Sequence, residues 1–68
     1  MLVRINGEAR ELAVGATVAS VVESMSTAPA GRGVAVALDG EVVPRGEWAG
    51  TELSEGMRLE LVVAVQGG

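Results

Sequence analysis

The sequence contains no cysteine and no histidine. Disulfide staples and the common zinc ligand sets are therefore excluded, although small domains often rely on them. Lysine and tyrosine are absent as well, and all five basic residues are arginines: Arg4, Arg10, Arg32, Arg45 and Arg58. Together these absences remove most side chains that act as general bases or covalent nucleophiles near neutral pH. Carboxylates, a few hydroxyls and guanidinium groups remain, and no acidic pair sits in a recognisable catalytic frame. The expectation is a chain that is not itself an enzyme and binds neither metal nor cofactor. The arginines are scattered, so nothing forms the clustered basic face that nucleic acid requires. No apolar run approaches the roughly 18 to 20 residues of a membrane span. The N-terminus lacks the charged, apolar and cleavage regions of a signal peptide, which makes the cytoplasm the expected location. Aromatic residues are nearly missing too: Trp48 stands alone, without Phe or Tyr.

What is present is aliphatic. Hydrophobic residues make up 49% of 68 positions, and the net charge is −4. That length allows one domain with one small core, built from Val, Leu, Ile, Met and Ala. An acidic surface favours solubility and docking to a basic patch on a partner.

Met1 to Asn6 alternates, with Met1, Val3 and Ile5 on one side and Leu2, Arg4 and Asn6 on the other, the period of a half-buried strand. Asn6-Gly7 tolerates the positive φ of a tight hairpin turn, and Ala9 to Ala13 returns as a second strand with Leu12 as its core candidate. Thr17 is placed to cap a helix in which Val18, Val21, Val22 and Met25 form one apolar face. Valine confers only moderate helix propensity, so this helix should depend on packing against a sheet. Ser26 to Gly33 reads as a loop.

Val34 to Leu38 is apolar throughout and reads as an interior strand. Asp39-Gly40 turns it into Glu41-Val42-Val43, which Pro44 stops. Arg45 to Leu53 is irregular and holds Trp48, a packing anchor beside Pro44 rather than a ligand platform. After a turn at Ser54-Glu55-Gly56, Met57 to Ala64 forms the last strand. Met57, Leu59, Leu61 and Val63 share one face of it, and Arg58, Glu60, Val62 and Ala64 share the other.

Hairpin, helix and further strands make an α+β layer pair. If the last strand pairs alongside the first, the sheet is mixed, with about four to five strands and one main helix across one face. This is the β-grasp, or ubiquitin-like, arrangement. The division is a domain over residues 1–64 and a flexible tail over 65–68, leaving from a central strand. The tail ends in Gly67-Gly68, a thin backbone without side chains that suits threading into another protein's active site. Taken alone, two terminal glycines favour simple fraying.

Several stretches, in order and at matching spacing, resemble the small sulfur carriers of thiamine biosynthesis, the ThiS-like proteins. They are Ile5-Asn6-Gly7-Glu8, Gly15-Ala16-Thr17-Val18, the run from Val34 to Arg45, Glu47-Trp48, Leu53, Gly56-Met57, the closing strand and the terminal Gly67-Gly68. The Val-Pro-Arg and Glu-Trp segment, with the length and the Gly-Gly end, is the most specific part. The Ser26 to Gly33 loop and Gln66 depart from the pattern. The resemblance implies a mechanism centred on the Gly68 carboxylate. A C-terminal carboxyl ordinarily titrates at about pH 3.3 to 3.7, so at neutral pH it is an anion and a poor acyl donor. In the family an E1-like, ThiF-like adenylyltransferase uses ATP and Mg to form an acyl-adenylate on the terminal glycine. Sulfur from a cysteine desulfurase then displaces AMP and leaves a thiocarboxylate, which a ThiG-like thiazole synthase consumes. Gly67, Gln66 and Val65 would thread into the partner, reaching about 13 to 14 Å with Gly68 when fully extended.

Val62 and Ala64, with Arg58 nearby, are a candidate docking surface for the activating enzyme. Cover within the sheet is the competing reading for both apolar residues. Arg45 and Arg58 read as solvated surface charge, against the competing reading that they pair with acids on a partner or locally with Glu47 and Glu60. Relatives that share the fold and tail, such as the molybdopterin-synthase small subunit, differ in pathway. A ubiquitin-like protein modifier is the alternative of a different class, and a non-covalent binding module that does not need its glycines is another.

Overall fold

The computed structural model describes residues 1–25 and 33–63, and for Val63 the backbone alone. Strand β1 (Leu2–Ile5) turns through Asn6-Gly7 into β2 (Glu8–Glu11); helix α1 (Val18–Met25) follows. Then come β3 (Val34–Leu38), β4 (Glu41–Val42), a 3-10 turn (Arg45–Glu47) and β5 (Arg58–Val63). The five strands form one sheet in the order β2-β1-β5-β3-β4. Only β1 and β5 run parallel among its pairs, Arg4 level with Arg58 and Ile5 with Leu59. With one helix against a mixed sheet, the fold is a β-grasp.

Both hairpins turn through two residues at positive φ: Asn6 (52°) with Gly7 (85°), and Asp39 (48°) with Gly40 (87°). This geometry matches the right-handed twist of the flanking strands, and Asn-Gly and Asp-Gly supply it with little strain. The helix starts as its sequence suggests. Thr17 Oγ1 accepts the Ser20 N–H at 3.2 Å, and Ser20 Oγ accepts the Thr17 N–H at 3.0 Å, a reciprocal cap. Its next two free donors go outside the helix, Val18 N–H to the Thr51 carbonyl and Ala19 N–H to the Trp48 carbonyl. The segment around Trp48 thus fixes where α1 begins.

The core gathers Val3 and Ile5 of β1, Val18, Val21 and Val22 of α1, Val36 of β3 and Leu59 of β5, closed by Trp48 and Leu53. Trp48 is a packing residue: it is buried and its Nε1–H donates to the Val43 carbonyl at 2.9 Å. No polar or charged residue among those described is buried, so specificity in this core comes from shape rather than from buried polar contacts.

Three expectations need adjustment. The second strand covers Glu8–Glu11 rather than Ala9 to Ala13, and all four of its residues are exposed. Leu12, just past its end, packs against the core only in part. Met25 lies on the helical stripe of Val18, Val21 and Val22 but is 40% exposed. It occupies the last helical position, and the buried helical residues stop at Val22. Periodicity assigns a face but not how far along the helix the sheet extends beneath it. The last strand begins at Arg58 rather than Met57, whose carbonyl instead accepts the Arg4 N–H at 2.9 Å. The expected loop over Ser26 to Gly33 lies outside the described residues except for Gly33.

Candidate functional site: the outer face and end of the central strand

Strand β5 has a neighbour on each side, β1 and β3. Leu59 points into the core and is fully buried, while Leu61 packs against it in part. The intervening Arg58, Glu60 and Val62 face away from the helix and are exposed. Val62 keeps 64% of its surface accessible, which decides between the two readings of this residue in favour of an open face.

Register shows what lies around Val62. Its partner across the antiparallel ladder is Ala35, while Glu60 pairs with Ala37 and Ala37 pairs with Val42. Paired residues share a face of a sheet, so Val62, Ala35, Ala37 and Val42 form an apolar area on the helix-free side. Val42 is 78% exposed. Lower on the same face, Arg58 stands level with Arg4, whose guanidinium turns aside to the Gly7 carbonyl at 3.3 Å. The face is thus apolar toward the end where the chain leaves β5 and charged toward the other end.

The two turns do more than reverse the chain. Beyond Ile5 the parallel ladder loses its partner strand, because β1 turns away at Asn6. Asn6 compensates: its N–H donates to the Leu59 carbonyl at 2.9 Å, and its Oδ1 accepts the Leu61 N–H at 2.8 Å. On the other side of β5, Asp39 N–H donates to the Arg58 carbonyl at 2.8 Å, and Asp39 Oδ1 accepts the Arg58 N–H at 3.0 Å. A short side chain with an acceptor thus extends each ladder by a residue and holds β5 from both sides. Sequence reasoning finds only turn chemistry at these two positions. The available signal is that Asn and Asp are used where Gly would also turn.

Of the residues expected to act, Arg58 and Val62 lie together on the outer face of β5. Ala64, Val65, Gln66, Gly67 and Gly68 lie outside the described residues. Elsewhere a shallow groove beside β4 is floored by Leu38, Val43 and Pro44 with Glu41 and Glu47 at its rim. It offers two carboxylates and the Thr51 hydroxyl, which donates to the Glu47 carbonyl at 2.7 Å. No group of three or more Asp or Glu among the described residues could hold a metal ion. No helix among them is long and apolar enough to cross a membrane.

The ThiS family pattern matches residues 3–68, through both terminal glycines. The chain belongs to the ThiS family. Two solved structures agree with that assignment. One is the crystal structure of the thiamine biosynthesis protein ThiS from Geobacter metallireducens, 27% identical, covering 100% of both chains with a TM-score of 0.80. The other is an NMR solution structure of a thiamine biosynthesis protein from the same organism, also 27% identical, with a TM-score of 0.81. It covers 100% of this chain and 88% of that one. Among curated proteins none matches.

Proposed function

We propose that this protein is a sulfur carrier for thiamine biosynthesis, acting as a protein co-substrate rather than a catalyst. The observation that carries this reading is the family match over residues 3–68, which takes in the Gly67-Gly68 end. The chemistry of the chain supports it. A carboxylate at Gly68 is an anion and a weak electrophile until its oxygen is made a leaving group. ATP, with Mg, supplies that activation in an E1-like, ThiF-like partner, giving an acyl-adenylate. The outer sulfur of a persulfide charged by a cysteine desulfurase attacks the acyl carbon and displaces AMP, giving an acyl disulfide. A thiol then attacks the inner sulfur, the S–S bond breaks, and the two thiol sulfurs leave as a disulfide. Gly68 is left as a thiocarboxylate that a ThiG-like thiazole synthase takes up.

In this reading each part of the fold has a task. The body lacks thiol, imidazole and amine side chains, so the transferred sulfur rides on the backbone terminus alone. Asn6 and Asp39 brace β5, the strand that immediately precedes residues 64–68 in the chain. Gly67, Gln66 and Val65 enter the partner's site as a narrow strip, with no side chain at the last two positions to obstruct the reacting carbon. The exposed apolar area of Val62, Ala35, Ala37 and Val42, continued by Ala64 and flanked by Arg58, meets the activating enzyme. Such an area beside a charged rim is typical of protein interfaces.

The test is a reconstitution with the activating enzyme, ATP, Mg, a desulfurase with cysteine and a thiol reductant, followed by intact mass. The expected result is one sulfur-for-oxygen exchange on the chain, lost when Gly68 is deleted. An unchanged mass in the complete system would overturn the proposal. Isopeptide adducts on other proteins, in place of thiocarboxylate, would instead indicate a protein modifier.

A further inference from the structure

The sequence contains no lysine, so the α-ammonium of Met1 is the one amine this chain carries. It donates to Glu11 Oε2 at 2.9 Å and to the Leu12 carbonyl at 3.0 Å, closing the open end of the first hairpin. Glu55 stands beside it, its Oε1 accepting the Leu2 N–H at 2.8 Å. The hydrogen bond to Glu11, and then the charges of Glu11 and Glu55, raise the pKa of the ammonium against a lowering by desolvation.

An activated acyl carbon is open to aminolysis. The nitrogen lone pair would attack the carbonyl carbon of Gly68 and form a C–N bond. The C–O or C–S bond to the leaving group would break with its electron pair, and the nitrogen would shed a proton. An ammonium has no lone pair to offer. Distance is a second barrier. Arg4 is level with Arg58 in the parallel pairing of β1 and β5. Met1 precedes that level and Val63 follows it, so the two lie about 26 Å apart along the strands at about 3.3 Å per residue. The chain beyond Val63, fully extended, spans at most about 17 to 18 Å.

We infer that the fold insulates the activated terminus from the chain's own amine: the parallel β1–β5 pairing sets Met1 at the far end of the sheet, beyond the reach of Gly68, and Glu11 with the Leu12 carbonyl occupies the ammonium. This rests on Gly68 being the activated residue. Neither a ring within one copy nor an amide between copies then competes with the sulfur nucleophile. An antiparallel pairing of the same two strands would have brought the amine and the exit of β5 to one end. The consequence for specificity is direct. The acyl group waits for an acceptor brought by a partner.

The inference is testable without the activating enzyme, by preparing the chain with a thioester on the Gly68 carbonyl and following its intact mass in mildly alkaline buffer. The wild type is expected to hydrolyse to the acid, with no internal amide, which would be one water lighter, and no amide-linked dimer. Ala35→Lys places an exposed amine opposite Val62, within reach of the tail. At about 10 micromolar protein it is expected to form internal amide about 100-fold faster than any copy-to-copy amide, as an effective concentration near millimolar implies. Glu11→Gln removes the carboxylate charge that favours the ammonium form, and is expected to raise the amide-linked dimer while still giving no ring. A ring in the wild type or in Glu11→Gln, or no excess of ring in Ala35→Lys, overturns the separation. A Glu11→Gln dimer yield equal to that of the wild type overturns the clamp. Because the thioester is installed chemically, these outcomes stand apart from whether a partner adenylates Gly68.

Discussion

The two faces of β5 are made of neighbouring residues and have opposite characters. Leu59 is fully buried between Ile5 on one side and Leu38 on the other, whereas Val62, three residues on, keeps 64% of its surface in water. Both are aliphatic and both sit in the middle strand of the sheet. One contributes to folding, and the other can be spared by folding and used for contact. The difference shows that hydrophobicity alone does not mark the core in a two-layer domain. With one helix among the described residues there is cover for only one face of the sheet, and an aliphatic residue on the other face stays exposed.

The most severe way to break this comparison is on the buried side. Leu59→Ala removes a side chain at the centre of the core and should cost about 2 to 5 kcal/mol. A domain of this size has a total stability of roughly 3 to 10 kcal/mol, so a urea titration followed by Trp48 fluorescence should show partial or complete unfolding. Asn6→Gly comes next. Glycine keeps the positive φ of the turn but withdraws the acceptor from the Leu61 N–H, which water can then reach. The expected loss is about 0.5 to 1.5 kcal/mol, with faster hydrogen exchange at Leu61 as the specific sign. Exchange unchanged at Leu61 would show that the brace is not what holds the strand.

Substitution on the open side should separate stability from function. Val62→Asp should shift the stability read from urea titration by no more than about 0.5 kcal/mol, because it leaves the core intact. Sulfur loading by the activating enzyme should nevertheless fall, with the loss appearing mainly as a raised KM for the carrier. A large loss of stability in Val62→Asp would mean that this face is not spare. The smallest effect belongs to the far end of the sheet. The Met1 ammonium has a raised pKa in the folded state, so its ion pair with Glu11 stabilises the fold fully below the unfolded pKa of the amine. That contribution disappears as pH rises through the higher folded value. Melting temperature should therefore decline slightly in mildly alkaline buffer, and Glu11→Gln should flatten the decline.

Much of this is legible in the sequence because it depends on local rules. Alternation marks the inner residues Val3, Ile5 and Leu59, and helical spacing marks Val18, Val21 and Val22. Asn6-Gly7 and Asp39-Gly40 announce their turns, because few other pairs accept two consecutive positive φ values. Thr17 announces the helix start, with Ser20 completing the cap. The alternation in β5 also places Arg58, Glu60 and Val62 on one face.

What local rules leave open is how far each pattern is used. Met25 satisfies the helical stripe and still faces water. Leu12 follows an exposed strand and still touches the core. Whether Val62 is covered depends on how many layers the sheet carries, a number that no stretch of sequence encodes by itself.

Composition and order alone determined that this chain has a small aliphatic core, no nucleophile beyond hydroxyls, carboxylates and one amine, and a Gly-Gly end, because those are properties of residues taken singly or with near neighbours. Only the tertiary structure decided that β1 and β5 run parallel at the centre of the sheet. That pairing joins residues more than fifty positions apart. It is selected by the combined burial of both strands under α1 rather than by either strand. From it follow the exposed side of Val62, the bracing of β5 by two turns, and the distance between the chain's only amine and the end where β5 releases its tail.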